Sequence, residues 1–515
     1  SSSSSSSSSS RGAAVADVVM ENDFISLTFS TTTGRLSSWT NKVSKVTTSV
    51  DQSFCYYISN EGDQLSGQHS GAYIFRPKTG TSCVPVGADA TGAAVLSASI
   101  KGDVVQEVRQ QFAPWLTQTV RLPAHARHAE FTFTVGEIPI VDPDANQTLE
   151  KCVMWRQTGN CDGNGPLEPA DDKPCNAVIP GDASGFCECY GGRRAQVSNC
   201  GHSGFRCVDA CKATSGKEVV SVFKTNIKSE GKILTDSNGR DMMHRQRNYR
   251  PTWNLTQTEP VAGNYFPCNA AASISDSTAA LTVLVDASQA VGSIADGEME
   301  FMVHRRVLRD DSRGVGEPLN ETQFTTSYAS NNGGMHYGPG LVVRGTHFVS
   351  LEAAAEAAAH WRPLMDSVFA KPVLSFSSSA AVGRREVSFL ANPLPANVQI
   401  MTLQTLSPTT VLLRLSHQFG IGEDPALSKP VQVDLSKLFD PSTAFTIHNA
   451  KEVSLTNNQD KEAILKRRAK AASWNTGQPA HVHPWRQQDK VLDFKADPVI
   501  TLGPLEIKTF VCEIA

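Results

Sequence analysis

A chain of 515 residues, 40% hydrophobic and 19% charged, has the length for two or three domains with sizeable cores. Its net charge of −4, with both signs dispersed, excludes the basic footprint expected of a nucleic-acid or anionic-membrane binder. No apolar run reaches the roughly 18 residues needed to span a bilayer.

Ten serines open the chain, and residues 1–16 read as a disordered Ser-rich N-terminus. No apolar stretch follows them as a signal peptide requires. The expectation is that the sequence begins within a longer protein, the other reading being a mature N-terminus made by processing. Residues 24–30 (FISLTFS) then alternate, placing Ile25, Leu27 and Phe29 on one strand face, with Thr33-Gly34 as a turn. Residues 129–135 (AEFTFTV) repeat the pattern through Phe131, Phe133 and Val135. Segments 281–285, 299–303 and 411–415 read as more fully buried strands. Short strands broken by Gly, Pro and Asn predict a mainly β protein built as sandwiches rather than βαβ units. One alanine-rich helix is expected over 351–370, ended near Lys371-Pro372, with a packing role.

Cysteine usage points to an oxidising compartment. Eight of the twelve cysteines, Cys152, Cys161, Cys175, Cys187, Cys189, Cys200, Cys207 and Cys211, fall within residues 141–216. Gly, Pro, Asp and Asn fill the gaps and little apolar periodicity survives there. A zinc site with His202 is one reading, but paired C-x-x-C knuckles are missing. A disulfide-stapled surface insertion is the preferred one, with no pairing assigned. Sequons at Asn146, Asn254 and Asn320 are candidate glycosylation sites that fit the same secretory route.

Several groups look chemical and read as structural. His481 and His483 (HVHP) share a strand face, yet no third ligand is near them in sequence, so no metal is assigned. Asp236, Asn238 and Gly239 make a turn signature. Arg245, Arg247 and Arg250, beside Tyr249 and Trp253, read as a strand face, and Lys466 to Lys470 (KRRAK) as a charged loop. Asp310 and Asp311 are adjacent, so they point apart and do not make a catalytic carboxylate pair. They are expected to position Arg313 or cap its loop.

Three segments carry a family resemblance: Ser70 to Pro77 (SGAYIFRP), Thr235 to Pro267 (TDSNGRDMMHRQRNYRPTWNLTQTEPVAGNYFP), and Asp296 to Glu321 (DGEMEFMVHRRVLRDDSRGVGEPLNE). In sequence, order and approximate spacing they resemble the C-terminal, β-rich half of the lysosomal-type α-mannosidases of glycoside hydrolase family 38. The resemblance covers residues 17–140 and 217–515. It implies a large galactose-mutarotase-like β-supersandwich over 17–330, interrupted by the Cys-rich insertion. A helix and a smaller terminal β-sandwich would occupy 331–515. It also implies retaining hydrolysis of terminal α-linked mannose in N-glycan turnover, with mannose-containing glycans as partners and a lysosomal, vacuolar or secretory location.

In that family a zinc ion, bound by two histidines and two aspartates, sits in a barrel upstream of this region. The His-His-Asp-Ala segment that carries its ligands does not occur here. Zinc, nucleophile and acid/base are therefore expected from an upstream catalytic barrel, with no catalytic residue and no metal ligand in this chain. Tyr73 and Arg313 match two positions that the family uses at the mannose subsite. A phenol can pack one ring face and exchange one O–H with a sugar hydroxyl, while a guanidinium offers a planar fork of donors. Gly314 and Gly316 would let that loop turn tightly. The rival reading is a stand-alone carbohydrate-binding or structural β-sandwich module without activity.

Overall fold

The computed structural model describes residues 16–60, 68–139, 151–155, 173–174, 204–207, 215–236, 238–308, 310–314, 318–326, 335–376, 378, 386–470 and 491–515. Among them, antiparallel strands dominate. One nine-stranded sheet runs in the order Val18–Glu21, Ile25–Phe29, Leu36–Asn41, Thr47–Ile58, Lys217–Thr225, Glu298–Arg306, Gln289–Gly292, Tyr265–Cys268, with Val84–Val86 also paired to Thr47–Ile58. A second nine-stranded sheet runs Met242–Gln246, Lys232–Asp236, Ala271–Ser275, Ala279–Val285, Val343–Ala353, Ala129–Val135, Leu116–Pro123, Val105–Ala113, Val95–Lys101.

The two sheets face each other across one apolar core. Leu27, Phe29 and Trp39 of the first sheet meet Phe131, Val283 and Leu351 of the second within it. Rings interlock there, Trp39 against Phe131 at 6.4 Å and Phe131 against Phe223 at 5.8 Å. The predicted alternation over 24–30 appears as strand Ile25–Phe29, its odd-numbered residues buried. Burial of such side chains contributes about 1.5–3 kcal/mol each. A disulfide between Cys55 and Cys83 ties the strand Thr47–Ile58 to the segment leading into Val84–Val86. Neither cysteine is among the eight singled out from sequence.

Strand Val343–Ala353 lies beyond residue 330 in the chain, yet it pairs on one side with Ala279–Val285 and on the other with Ala129–Val135. It also shortens the predicted helix. Residues 351–353 belong to the strand, and the helix runs Ala357–Phe369. Leu351, Glu352 and Ala353 pair with Leu281, Ala280 and Ala279, and that pairing outweighs the helical pattern at the strand's end. Ala357, Ala358 and Trp361 of the helix pack on Ala280, Leu284 and Phe419.

A smaller C-terminal unit follows, with the sheet Val398–Ser407, Thr410–His417, Ile507–Ile514, Ile447–Val453 and the pair Val431–Asp434 with Val499–Leu502. Leu413, Leu415, Leu502 and Phe510 fill its own core. Arg362, 1% exposed, fastens the helix to this unit. Its guanidinium binds Glu423 at 2.5 and 2.9 Å, donates to the Arg240 carbonyl at 2.6 Å and stacks over Trp361. Lys466 to Lys470 is helical rather than a loop, within Lys461–Lys470, supported by an i,i+4 ion pair between Glu462 and Lys466.

Within the insertion, Lys151–Trp155 pairs with Gly204–Cys207 and Lys173–Pro174, and the register sets Cys152 opposite Cys207. Cys161, Cys175, Cys187, Cys189, Cys200, Cys211, Asn146, His202, His481 and His483 lie outside the described residues.

Candidate functional site

Residues 68–77 and 310–314 approach each other at one end of the first sheet, and one carboxylate joins them. Asp311 is 1% exposed. Its Oδ2 accepts the backbone N–H groups of Tyr73 at 2.6 Å and Ile74 at 3.0 Å, while Oδ1 accepts that of Arg313 at 3.0 Å. Hydrogen bonds to a charged acceptor are roughly twice as strong as neutral ones, so this residue sets the relative position of both loops. Gly71 permits the approach, since a Cβ there would stand 2.6 Å from the Asp311 nitrogen.

A second tie runs through Gln68. Its Nε2 donates to the Asp311 carbonyl at 2.8 Å, and its Oε1 accepts from the Arg313 guanidinium. His69 Nδ1 lies 3.0 Å from the Asp310 carbonyl, and Asp310 Oδ2 accepts from the Ser312 N–H at 3.1 Å. Ser312 and Gly314 both adopt positive φ, 58° and 123°, so the loop turns as the glycine pattern led us to expect. Gly316 lies outside the described residues. The structure thus brings the predicted pair into adjoining loops and leaves both side chains at the surface, Tyr73 being 66% exposed.

Beneath the loops lies a layer of buried ionisable groups. Glu218, fully buried, faces Arg305 across the pairing of Lys217–Thr225 with Glu298–Arg306. Arg305 binds its Oε1 through Nε at 3.0 Å and Nη2 at 2.5 Å, and Ser70 Oγ donates to the same oxygen at 2.8 Å. Arg305 also donates to the Ile74 carbonyl at 2.8 Å, so the layer reaches up into the Tyr73 segment. Burial pushes the Glu218 carboxyl above its ordinary pKa, against the pull of Arg305.

On the same face of this sheet, Glu300 Oε1 accepts the hydroxyls of Tyr57 at 2.8 Å and Tyr265 at 2.5 Å. Phe75 packs edge-on between those rings. Burial moves the Glu300 carboxyl up to about 7, the two hydroxyls opposing the shift, and both phenols are pushed well above their usual range. These residues escaped the sequence reading. A charged residue inside an apolar strand run, Glu300 in EMEFMV or Glu218 in KEVVSVF, was the available signal.

Both Asp311 oxygens hold backbone N–H groups, and Asp310 closes its own turn. The same residues do not fit the family's zinc, because Asp311 is fully engaged and the His69 Nδ1 is directed at a carbonyl.

Other conspicuous residues have structural work. Asp236 Oδ1 accepts three successive N–H groups, of Asn269, Ala270 and Ala271, and its Oδ2 that of Gly239, which confirms the turn. Arg245 and Arg250 stack on Phe266, so that basic cluster is a packed face. Asn254 is exposed, whereas Asn320 Oδ1 accepts from Arg306 at 2.8 Å.

The pattern of the glycosyl hydrolases family 38 C-terminal domain matches residues 20–156 and 205–313, which contain both loops and the buried layer. The chain belongs to glycoside hydrolase family 38. Lysosomal alpha-mannosidases of Bos taurus and Homo sapiens are each 36% identical to it over 509 residues. Those matches cover 97% and 96% of the chain but 40% of each relative, consistent with the C-terminal half of the family architecture. An alpha-mannosidase of Canavalia ensiformis is 30% identical over 497 residues, covering 95% of this chain and 41% of that protein. A crystal structure of an alpha-mannosidase from Enterococcus faecalis shares the fold, with a TM-score of 0.52 at 11% identity over 96% of this chain and 42% of that one.

Proposed function

We propose that this chain forms the β-rich part of a retaining α-mannosidase that removes terminal α-linked mannose from glycoprotein glycans. The lysosome or vacuole is the proposed location, as for the relatives. The observation that carries the reading is the Asp311 clamp, which places Tyr73 and Arg313 in adjoining loops with their side chains toward solvent. Tyr73 supplies a hydroxyl and a ring face, and Arg313 a permanently charged fork, both suited to a polyhydroxylated ring. The buried layer below keeps these loops from relaxing when a sugar binds, which lowers the ordering cost of recognition.

Retaining hydrolysis needs two carboxyl groups roughly 5 Å apart. In this proposal those groups, and the zinc that grips sugar hydroxyls, come from the part of the relatives that precedes the matched region. The test compares two proteins. The chain by itself is expected to leave an aryl α-mannoside intact. A protein joining it to the preceding family region is expected to hydrolyse that substrate, and Arg313→Lys in it to lower kcat/KM. Turnover by the isolated chain, abolished by a chelator, would place the chemistry within these residues and overturn the division of labour.

A further inference from the structure

Where strand Val343–Ala353 passes into helix Ala357–Phe369, Glu352, Glu356 and His360 converge, one ligand atom of each lying within 4.8 Å of the others. Glu356 stands at the N-cap and His360 one turn later, a spacing that puts both on one helix face above the strand end that holds Glu352. The Glu352 side chain is 1% exposed. Its Oε2 accepts from Asn41 Nδ2 at 2.6 Å and from Arg127 Nη2 at 2.8 Å, whereas its buried Oε1 has no hydrogen-bond partner. A carboxylate oxygen left bare in a protein interior carries a desolvation cost that a ligand would remove. Glu356 makes no capping hydrogen bond with its side chain. Arg127 balances one of the two carboxylates and leaves the cluster with a net negative charge.

We propose that Glu352, Glu356 and His360 form a divalent transition-metal site that takes zinc, separate from the Tyr73–Arg313 rim and independent of the reading given to it. Two carboxylates and an imidazole are an oxygen and nitrogen donor set suited to zinc, with water completing a tetrahedron. His360 Nε2 is 4.0 Å from Glu352 Oε2, the oxygen that Asn41 and Arg127 hold. Side-chain rotation closes that gap to the roughly 3.4 Å set by metal–ligand bonds of about 2.0–2.1 Å. Asn41 and Arg127 act as the outer support, fixing the Glu352 carboxylate through Oε2. Bound metal would fasten the helix N-terminus to the sheet, and through Arg362 and Glu423 the same helix holds the C-terminal unit.

The experiment uses the whole chain, folded, stripped with a chelator, with free thiols alkylated so that the cysteine-rich insertion cannot compete. Zinc chloride is titrated against a competing chromophoric chelator, and cobalt replaces zinc for absorption spectroscopy. Expected are one tight equivalent per chain, a rise in Tm on zinc addition, and cobalt bands without thiolate charge transfer. His360→Gln and Glu356→Gln change residues at the helix surface and leave buried Glu352 untouched. Each is expected to weaken zinc binding by about ten-fold or more, with circular dichroism unchanged. The proposal is overturned if the chain takes up no zinc, if cobalt shows thiolate ligation, or if either folded variant keeps the original affinity.

Discussion

Strands Lys217–Thr225 and Glu298–Arg306 pass through two unlike environments. Toward one end Phe223 and Phe301 meet edge to face at 6.1 Å in the core between the nine-stranded sheets. Toward the other, the same pairing sets Glu218 against Arg305 and hangs Ser70 and the Ile74 carbonyl on them. The apolar end is held by volume and non-directional burial, so losses there scale with the atoms removed. The polar end is held by pairing, so losing one partner strands the other in a dry interior. Such an end is costly to build but fixes loops in position, and here it underlies the two loops joined by Asp311.

The comparison breaks most readily at Glu218. Glu218→Ala is expected to cost about 3–5 kcal/mol by leaving the largely buried Arg305 without its counter-charge. Adding Arg305→Met should recover part of that loss, a non-additivity read from denaturant midpoints. Phe301 and Phe223, truncated singly and together, provide the volume-governed control, and identical additivity at both ends would erase the distinction.

Next in size is a pH effect at Glu300. Its carboxyl is raised from 4.5 to about 7 in the folded protein, so folding favours the protonated form. The stability tied to it is fully present below about pH 4.5 and is lost as pH rises through about 7. Glu300→Gln cannot ionise, so the gap between variant and parent should widen in the variant's favour across that window. Melting curves at several pH values test this, and parallel profiles would mean that Glu300 does not titrate there. The direction suits a protein proposed for an acidic compartment.

Arg313→Lys probes the surface that the polar end supports. In an active protein containing this region, kcat/KM should fall about ten-fold or more with Tm nearly level, since one charged hydrogen bond is worth about 1.5–3 kcal/mol. Level kinetics with a lowered Tm would reduce Arg313 to a partner of Gln68. The smallest effect belongs to the exposed Asn254. Asn254→Gln should change stability by less than about 0.5 kcal/mol, while removing one glycan from secreted protein as judged by mass.

Much of the fold was legible in the chain itself. Alternation named Ile25–Phe29 and Ala129–Val135 because a half-buried strand writes its two faces into every second residue. The turn at Asp236 and Gly239 was legible for a similar local reason. The motifs around Tyr73 and Arg313 were legible as a family resemblance, since short segments keep their order even when separated by more than two hundred residues. Local signals could not show that 351–353 extend a central strand, because alanine propensity says helix and only pairing with Ala279–Val285 says otherwise. Nor could they join Asp311 to Tyr73, Glu218 to Arg305 or Glu300 to two tyrosines. Each of those contacts links residues 35 to 243 positions apart, and a carboxylate's role depends on which donors the fold delivers to it. Local composition determined the strands and their faces, while tertiary structure decided which charges were buried together and so which loops are held in place.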